Sequence, residues 1–207
     1  MKLFYAPGAC SIGIHVMLEE IGAPYEAVAV NLREGAQFQP GFTSVNPKSK
    51  VPALQREDGS VLTEYPAIAF WLASRFPSAG LMPSGTDAQA RALEATDYCV
   101  ATMHMQGFSR MFRPMNYAPT EADHDKVKAR GKEIMEKGLA LMDKALEGKE
   151  YLAGKFSVAD AALFLGPLVH GLGWTLTGAT SEQDLNRLAQ GLTVGHLLEC
   201  SGQGSGG

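Results

Sequence analysis

Short apolar runs alternate with helical periodicities in the first third of the chain, and helical periodicity alone fills most of the remainder. Lys2–Tyr5 reads as a strand and Ala6–Ala9 as a Pro/Gly turn. Ile14, Met17, Leu18 and Ile21 then recur at helical spacing, and Gly22 closes that helix. Tyr25–Val30 alternates as a second strand, whereas Arg33–Asn46 has no clear period and reads as a loop with a short helix. Val51–Gln55 and Ser60–Leu62 flank Asp58-Gly59, a pair that tolerates the positive φ of a tight hairpin. Pro66–Arg75 sets Ile68, Trp71 and Leu72 on one helical face, with Pro66 in the first turn, where a missing N–H is harmless. The predicted order is β-α-β-α-β-β-α. Its closing hairpin makes the last strand pair antiparallel, so the sheet is mixed.

Phe76–Gly85 (FPSAGLMPSG) is a Pro/Gly/Ser-rich linker, and no good strand signal follows it. Thr86–Met115 reads as one long helix or a kinked pair, with Leu93, Val100, Met103 and Met111 among its apolar positions. Asp123–Leu146 repeats apolar residues seven apart, in the pairs Ile134 and Leu141, Met135 and Met142, Leu139 and Leu146. That pattern suits helices packed side by side in a bundle. Ser157 and Asp160 open a further apolar helix in capping-box spacing, with Asp where Glu or Gln is more usual. A last helix is expected from Ser181 to about Cys200, before a flexible SGQGSGG end. The expected organisation is an α/β domain over residues 1–76, a linker over 77–86 and an all-helical bundle domain over 87–207.

Composition narrows the classes. The chain has 207 residues, of which 45% are hydrophobic and 19% charged, enough to bury a core. A formal net charge of −4 and the lack of any Lys/Arg cluster argue against nucleic acid as a partner. The N-terminal apolar stretch is broken by Pro7, too early for a secretion signal. No apolar run reaches membrane-spanning length, so a cytoplasmic protein without membrane contact is expected. Cys10, Cys99 and Cys200 are odd in number and widely spaced, which fits neither a disulfide framework nor a zinc site, and no metal is expected.

Three features point at one small-molecule site. Cys10-Ser11 falls where the first strand meets the first helix, and unpaired N–H groups at a helix start lower a thiol pKa. Alone, the pair reads rather as a packed Cys and a capping Ser. Lys50-Val51-Pro52-Ala53-Leu54 puts a Pro at a strand start. A cis bond there would turn the Val51 backbone outward for an added peptide strand, although a strand-initiating Pro is an ordinary feature. Glu64-Tyr65-Pro66 opens a helix whose free N–H groups suit a carboxylate, while Glu64 can hold an ammonium or simply complement the dipole. A thiol site, a peptide-docking strand and an amino-acid clamp together are what a small thiol tripeptide requires.

These residues resemble the cytosolic glutathione transferases, most closely the bacterial beta class, over about residues 1–172. The carriers are MKLFYAPGACS at the start, NPKSKVPAL at 46–54, LTEYPAIAFWLA at 62–73, VATMHMQGFSRMF at 100–112 and FSVADAALF at 156–164. The resemblance implies a thioredoxin-like domain followed by an all-helical domain, in a homodimer, with glutathione as co-substrate beside a small hydrophobic electrophile. It implies Cys10 as the sulfur-site residue with Ser11 as its hydroxyl neighbour, and His104 as the histidine that approaches the sulfur. It further implies glutathione contacts at Lys48, Val51, cis Pro52, Glu64 and Tyr65. Ser157 and Asp160 match a structural capping box. Tyr5 is left at most a supporting hydroxyl and His15 a packing or surface role.

Three departures stand out. Tyr65 occupies a position where the family usually has Ser or Thr, so only its backbone N–H is expected to reach glutathione, and weaker binding follows. Met105 follows His104 where relatives often place Lys. Beyond about Trp174 the resemblance fades. The expected activity is conjugation of the glutathione thiolate to an electrophile, with thiol–disulfide exchange at Cys10 as a second chemistry. The competing reading is a non-catalytic binding or dimerisation scaffold on the same fold.

Overall fold

The computed structural model describes residues 1–163. Strands β1 (Lys2–Tyr5), β2 (Glu26–Ala29), β3 (Ala53–Gln55) and β4 (Val61–Thr63) form one mixed sheet in the order β2-β1-β3-β4. β1 pairs parallel with β2 and antiparallel with β3, and β3 pairs antiparallel with β4. The expected order of elements along the chain and the mixed sheet are therefore present; β2 and β3 are each two residues shorter than their apolar runs, and β4 keeps its length but begins one residue later. Helices α1 (Ser11–Ile21) and α3 (Tyr65–Arg75) pack together against one face, while the short α2 (Pro40–Thr43) lies with the other. The pleat explains the division: Leu3, Tyr5 and Leu54 join the α1 and α3 core, and Phe4 and Ala53 join Phe42 and Val30. Gly22 ends α1 at φ 67 and makes both closing bonds, its N–H donating to the carbonyls of Leu18 and Glu19.

The linker is anchored. Leu81 is buried, and its carbonyl accepts from the N–H of Val158 at 2.9 Å, tying residue 81 to the start of α7 (Val158–Leu163). The expected helix after the linker is continuous but not uniform: α4 (Thr86–Asp97) widens into a π-helical segment (Tyr98–Phe108) and ends as α5 (Ser109–Phe112). It lies against α6 (His124–Leu146). The side of α6 that is buried carries Gly131, Met135, Gly138, Met142 and Leu146, at alternating steps of four and three except the last. The Ile134 and Leu141 pair of the expected repeat is off this face, and Leu141 is 45% exposed. Glycines set the spacing instead. A Cβ on Gly131 would stand 2.6 Å from the Gly107 carbonyl oxygen, and one on Gly138 would stand 2.6 Å from Met103 Cγ.

The capping box is formed. Asp160 Oδ2 accepts from the Ser157 N–H (2.9 Å) and hydroxyl (2.7 Å), and Asp160 Oδ1 accepts from the Leu152 N–H (2.8 Å). The expected helix at Ser181–Cys200 and the terminal tail lie outside the described residues.

Candidate functional site

The β1–α1 turn is held by Ser11. Its hydroxyl accepts from the Ala6 N–H at 3.1 Å and donates to the Ala6 carbonyl at 3.3 Å, and the residue is wholly buried. This corrects the expectation of a ligand-facing hydroxyl, because both its hydrogen-bonding roles are taken up inside the turn. What remains toward the site is the backbone. Cys10 occupies the helix cap, and its Sγ lies 3.7 Å from the Val51 carbonyl, as donor. Burial pushes the thiol up to about 11, against the lowering effect of the N–H groups of Cys10 and Ser11 and the charge of Lys50. The expected fall in its pKa is thus reversed: desolvation of the charged form outweighs the helix start.

The segment 46–52 carries the next contacts, and Asn46, unremarked in the sequence, organises it. Asn46 is buried. Its amide donates to the Lys50 carbonyl at 2.7 Å and its Oδ1 accepts from the Lys48 N–H at 3.0 Å. Asn before Pro is a turn signal that could have revealed this role. Val51-Pro52 is cis, as expected, and both residues precede the paired stretch of β3. Lys48 reaches across to the junction of β4 and α3, where its ammonium donates to Glu64 Oε1 at 2.8 Å and to the Thr63 hydroxyl at 2.9 Å. Glu64 has φ 70 and ψ 124, a backbone that costs a non-glycine residue about 1–3 kcal/mol and that clusters at ligand sites.

Tyr65 follows Glu64 but turns inward. It is buried, and its hydroxyl has no hydrogen-bond partner among the described residues. Burial raises the phenol well above its ordinary value, with Cys10 and then Cys99 adding to the effect. The π-helical segment supplies the opposite wall. An i→i+5 turn uses more residues than an α turn, so side chains four apart drift less around the axis. Cys99, Met103 and Gly107 are accordingly buried together, while Val100, His104, Phe108 and Phe112 succeed one another beside them. His104 stacks on Phe108 at 5.5 Å and 15°, and Phe108 on Phe112 at 4.2 Å and 22°. Burial, then the charge of Arg113, holds the His104 imidazole down at about 4, so it is neutral at pH 7. The positive charge that Met105 fails to provide is therefore present near His104 in Arg113, which the sequence reading missed.

Cys10, Tyr65 and His104 line one small cavity of about 20 Å³, together with Val100, Ala161 and Ala162. It lies where α1, α3, the π-helical segment and α7 meet. Other candidates fall elsewhere. Tyr5 and His15 pack ring against ring at 5.3 Å, and Cys99 is fully buried with its thiol raised to about 12. Among the described residues no group of His, Cys, Asp or Glu could hold a metal ion, and no helix is long and apolar enough to cross a membrane.

Comparison with known proteins places these features. Residues 8–75 match the family model described as the N-terminal domain of glutathione S-transferase, and residues 156–207 match that of the acyclic terpene utilisation family protein AtuA. The chain is 36% identical over 170 residues to glutathione S-transferase GstA of Escherichia coli O157:H7, covering 79% of each. It is also 36% identical over 94 residues, 44% of each chain, to maleylacetoacetate isomerase of Pseudomonas aeruginosa. Among solved structures, a sphingomonad glutathione S-transferase complexed with glutathione aligns at TM-score 0.78 and 34% identity, covering 99% of this chain and 100% of that one. A bacterial beta-class glutathione S-transferase from Sphingomonas chungbukensis aligns at 0.78 and 33%, covering 98% and 99%.

Proposed function

Because the chain belongs to the glutathione S-transferase family, we propose that it activates the thiol of glutathione and adds it to a hydrophobic electrophile. The observation that carries this reading is the convergence of Cys10, Tyr65 and His104, from three separate segments, on one cavity. Glutathione would lie along Val51, ahead of the paired part of β3. Its γ-glutamyl ammonium would take Glu64 and its carboxylates would take Lys48 and the Tyr65 N–H, exchanging the resting Lys48–Glu64 ion pair for ligand contacts. The sulfur would enter the cavity between Cys10 and His104. There its proton is released to solvent, and the neutral His104 N–H together with the N–H groups at the start of α1 stabilise the thiolate. The sulfur pair then attacks the electrophilic carbon, a C–S bond forms, and the leaving group departs with its electron pair. The ring series His104, Phe108 and Phe112, ending in a half-exposed face, supports an apolar and adaptable seat for the second substrate.

Thiol–disulfide exchange through Cys10 is the weaker reading. A thiol at about 11 is ionised to only about one part in ten thousand at pH 7. Exposed rings at Phe38 and Phe70 support a homodimer, the assembly carried over with the family, and a cytoplasmic setting goes with the same reading. Calorimetry with glutathione and turnover of an aromatic halide test the proposal. Binding heat together with thioether formation is expected. No heat at millimolar glutathione would leave the non-catalytic scaffold instead. Cys10→Ala is expected to spare conjugation while abolishing any disulfide reductase activity.

A further inference from the structure

We propose that the Tyr65 hydroxyl is a further donor of the thiol pocket, hydrogen-bonding the sulfur of bound glutathione. This deepens the transferase reading and rests on it. A buried hydroxyl without a partner is destabilising and calls for an explanation. Tyr65 is only 6% exposed, its hydroxyl is unpartnered among the described residues, and the residue lines the same cavity as Cys10 and His104.

The surrounding sequence makes room for that oxygen. Gly13, on α1, has no side chain where a Cβ would collide with Tyr65 Oη and with the Ala161 carbonyl oxygen of α7. The chain thus carves a seat for a hydroxyl that finds no partner among the described residues. At about 20 Å³ the cavity suits one water-sized group, and a thiol sulfur is of that order. The other candidate donors are spoken for or weak. Ser11 is bonded within its turn, Cys10 donates to Val51, and His104 carries no charge at pH 7. The phenol stays protonated through the physiological range and so remains a donor. Groups facing it are Cys10 from α1 and His104 and Cys99 from the π-helical segment, with Arg113 acting on His104 and Asp160 of α7 on Cys99. None of these groups accepts a hydrogen bond from the hydroxyl.

Tyr65→Phe tests the assignment, because it removes one oxygen and keeps the ring. The thiolate of bound glutathione is followed by its ultraviolet absorption against pH, alongside conjugation kinetics and calorimetry with S-methylglutathione, which has no thiol to ionise. The expected result is a thiolate fraction about tenfold lower at a pH below the wild-type midpoint, and kcat about tenfold to a hundredfold lower, with S-methylglutathione affinity unchanged. If both proteins bind glutathione and titrate its thiol identically, while the variant melts higher, the hydroxyl is only a buried misfit and the assignment is overturned. Absence of glutathione heat from the wild-type chain would overturn the transferase reading and this assignment together.

Discussion

Gly131→Ala should loosen the protein even though alanine is the better helix former. In the interior of α6 the exchange contributes about 1 kcal/mol of helix propensity. Against that, the new Cβ would stand 2.6 Å from the Gly107 carbonyl oxygen and 2.9 Å from both Arg110 Cβ and Met111 Cγ. The first of these is backbone and the second is fixed to it, so neither can rotate away. Relief requires α6 and the π-helical segment to separate by most of an ångström. Overpacking of this kind costs about 1–3 kcal/mol, and rigid contacts put it at the upper end. The net loss is about 2 kcal/mol, which for a chain of this size lowers Tm by about 4–8 °C. Gly138→Ala is the internal control. Its new Cβ meets the Met103 side chain, an unbranched and adaptable one, so its loss should be clearly smaller. Thermal unfolding by circular dichroism of both variants, with conjugation kinetics, reads the comparison. A Gly131→Ala protein as stable as the wild type, or no worse than Gly138→Ala, would refute the close backbone contact on which His104 depends for its placement.

His104 has its pKa lowered to about 4, so between pH 6.5 and 4 the unfolded chain takes a proton that the folded chain refuses. Stability should fall as pH drops through that window, by at most about 3 kcal/mol, and His104→Gln should show a shallower fall in urea midpoints between pH 7 and 5. For Cys10, alkylation by iodoacetamide should be slow at pH 7 and rise with pH toward about 11; fast labelling at neutral pH would contradict the buried, protonated thiol. Lys48→Met should raise the KM for glutathione about tenfold with little change in kcat and none in Tm, since its ion pair is exposed. A kcat loss with an unchanged KM would remove Lys48 from glutathione binding.

The parts of the fold that rest on local rules were legible in the sequence. Strand alternation, the Gly22 stop, the Asp58-Gly59 turn and the Ser157 and Asp160 cap each depend on residues within a few positions of one another. The Asp58-Gly59 hairpin closes with Gly59 at φ 83 and the Arg56 N–H donating to the Ser60 carbonyl at 2.8 Å. The site was legible as a roster and less so in its chemistry. Cysteine and serine at a helix start look alike whether they face a ligand or the core, and only burial decides that Ser11 is spent and Cys10 protonated. Tyr65 reads as a side chain that cannot help, because its inward turn depends on the missing Cβ of Gly13. The π-helical segment was hidden for a similar reason. It packs against α6, and the glycines that permit the packing read locally as helix breakers.

That widened segment also makes the site intolerant of length. His104 faces Cys10 only because eleven residues of π geometry set the phase between α4 and α5. Deleting a single residue between Tyr98 and Met103 would turn everything beyond it by nearly a quarter turn, since an i→i+5 helix has just over four residues per turn, and would shorten the segment by one residue's rise. The imidazole would leave the cavity, and Gly107 would lose its alignment with Gly131, although no chemically active side chain had been altered. In this stretch the number of residues is itself a functional requirement, as strict as the identity of any one of them.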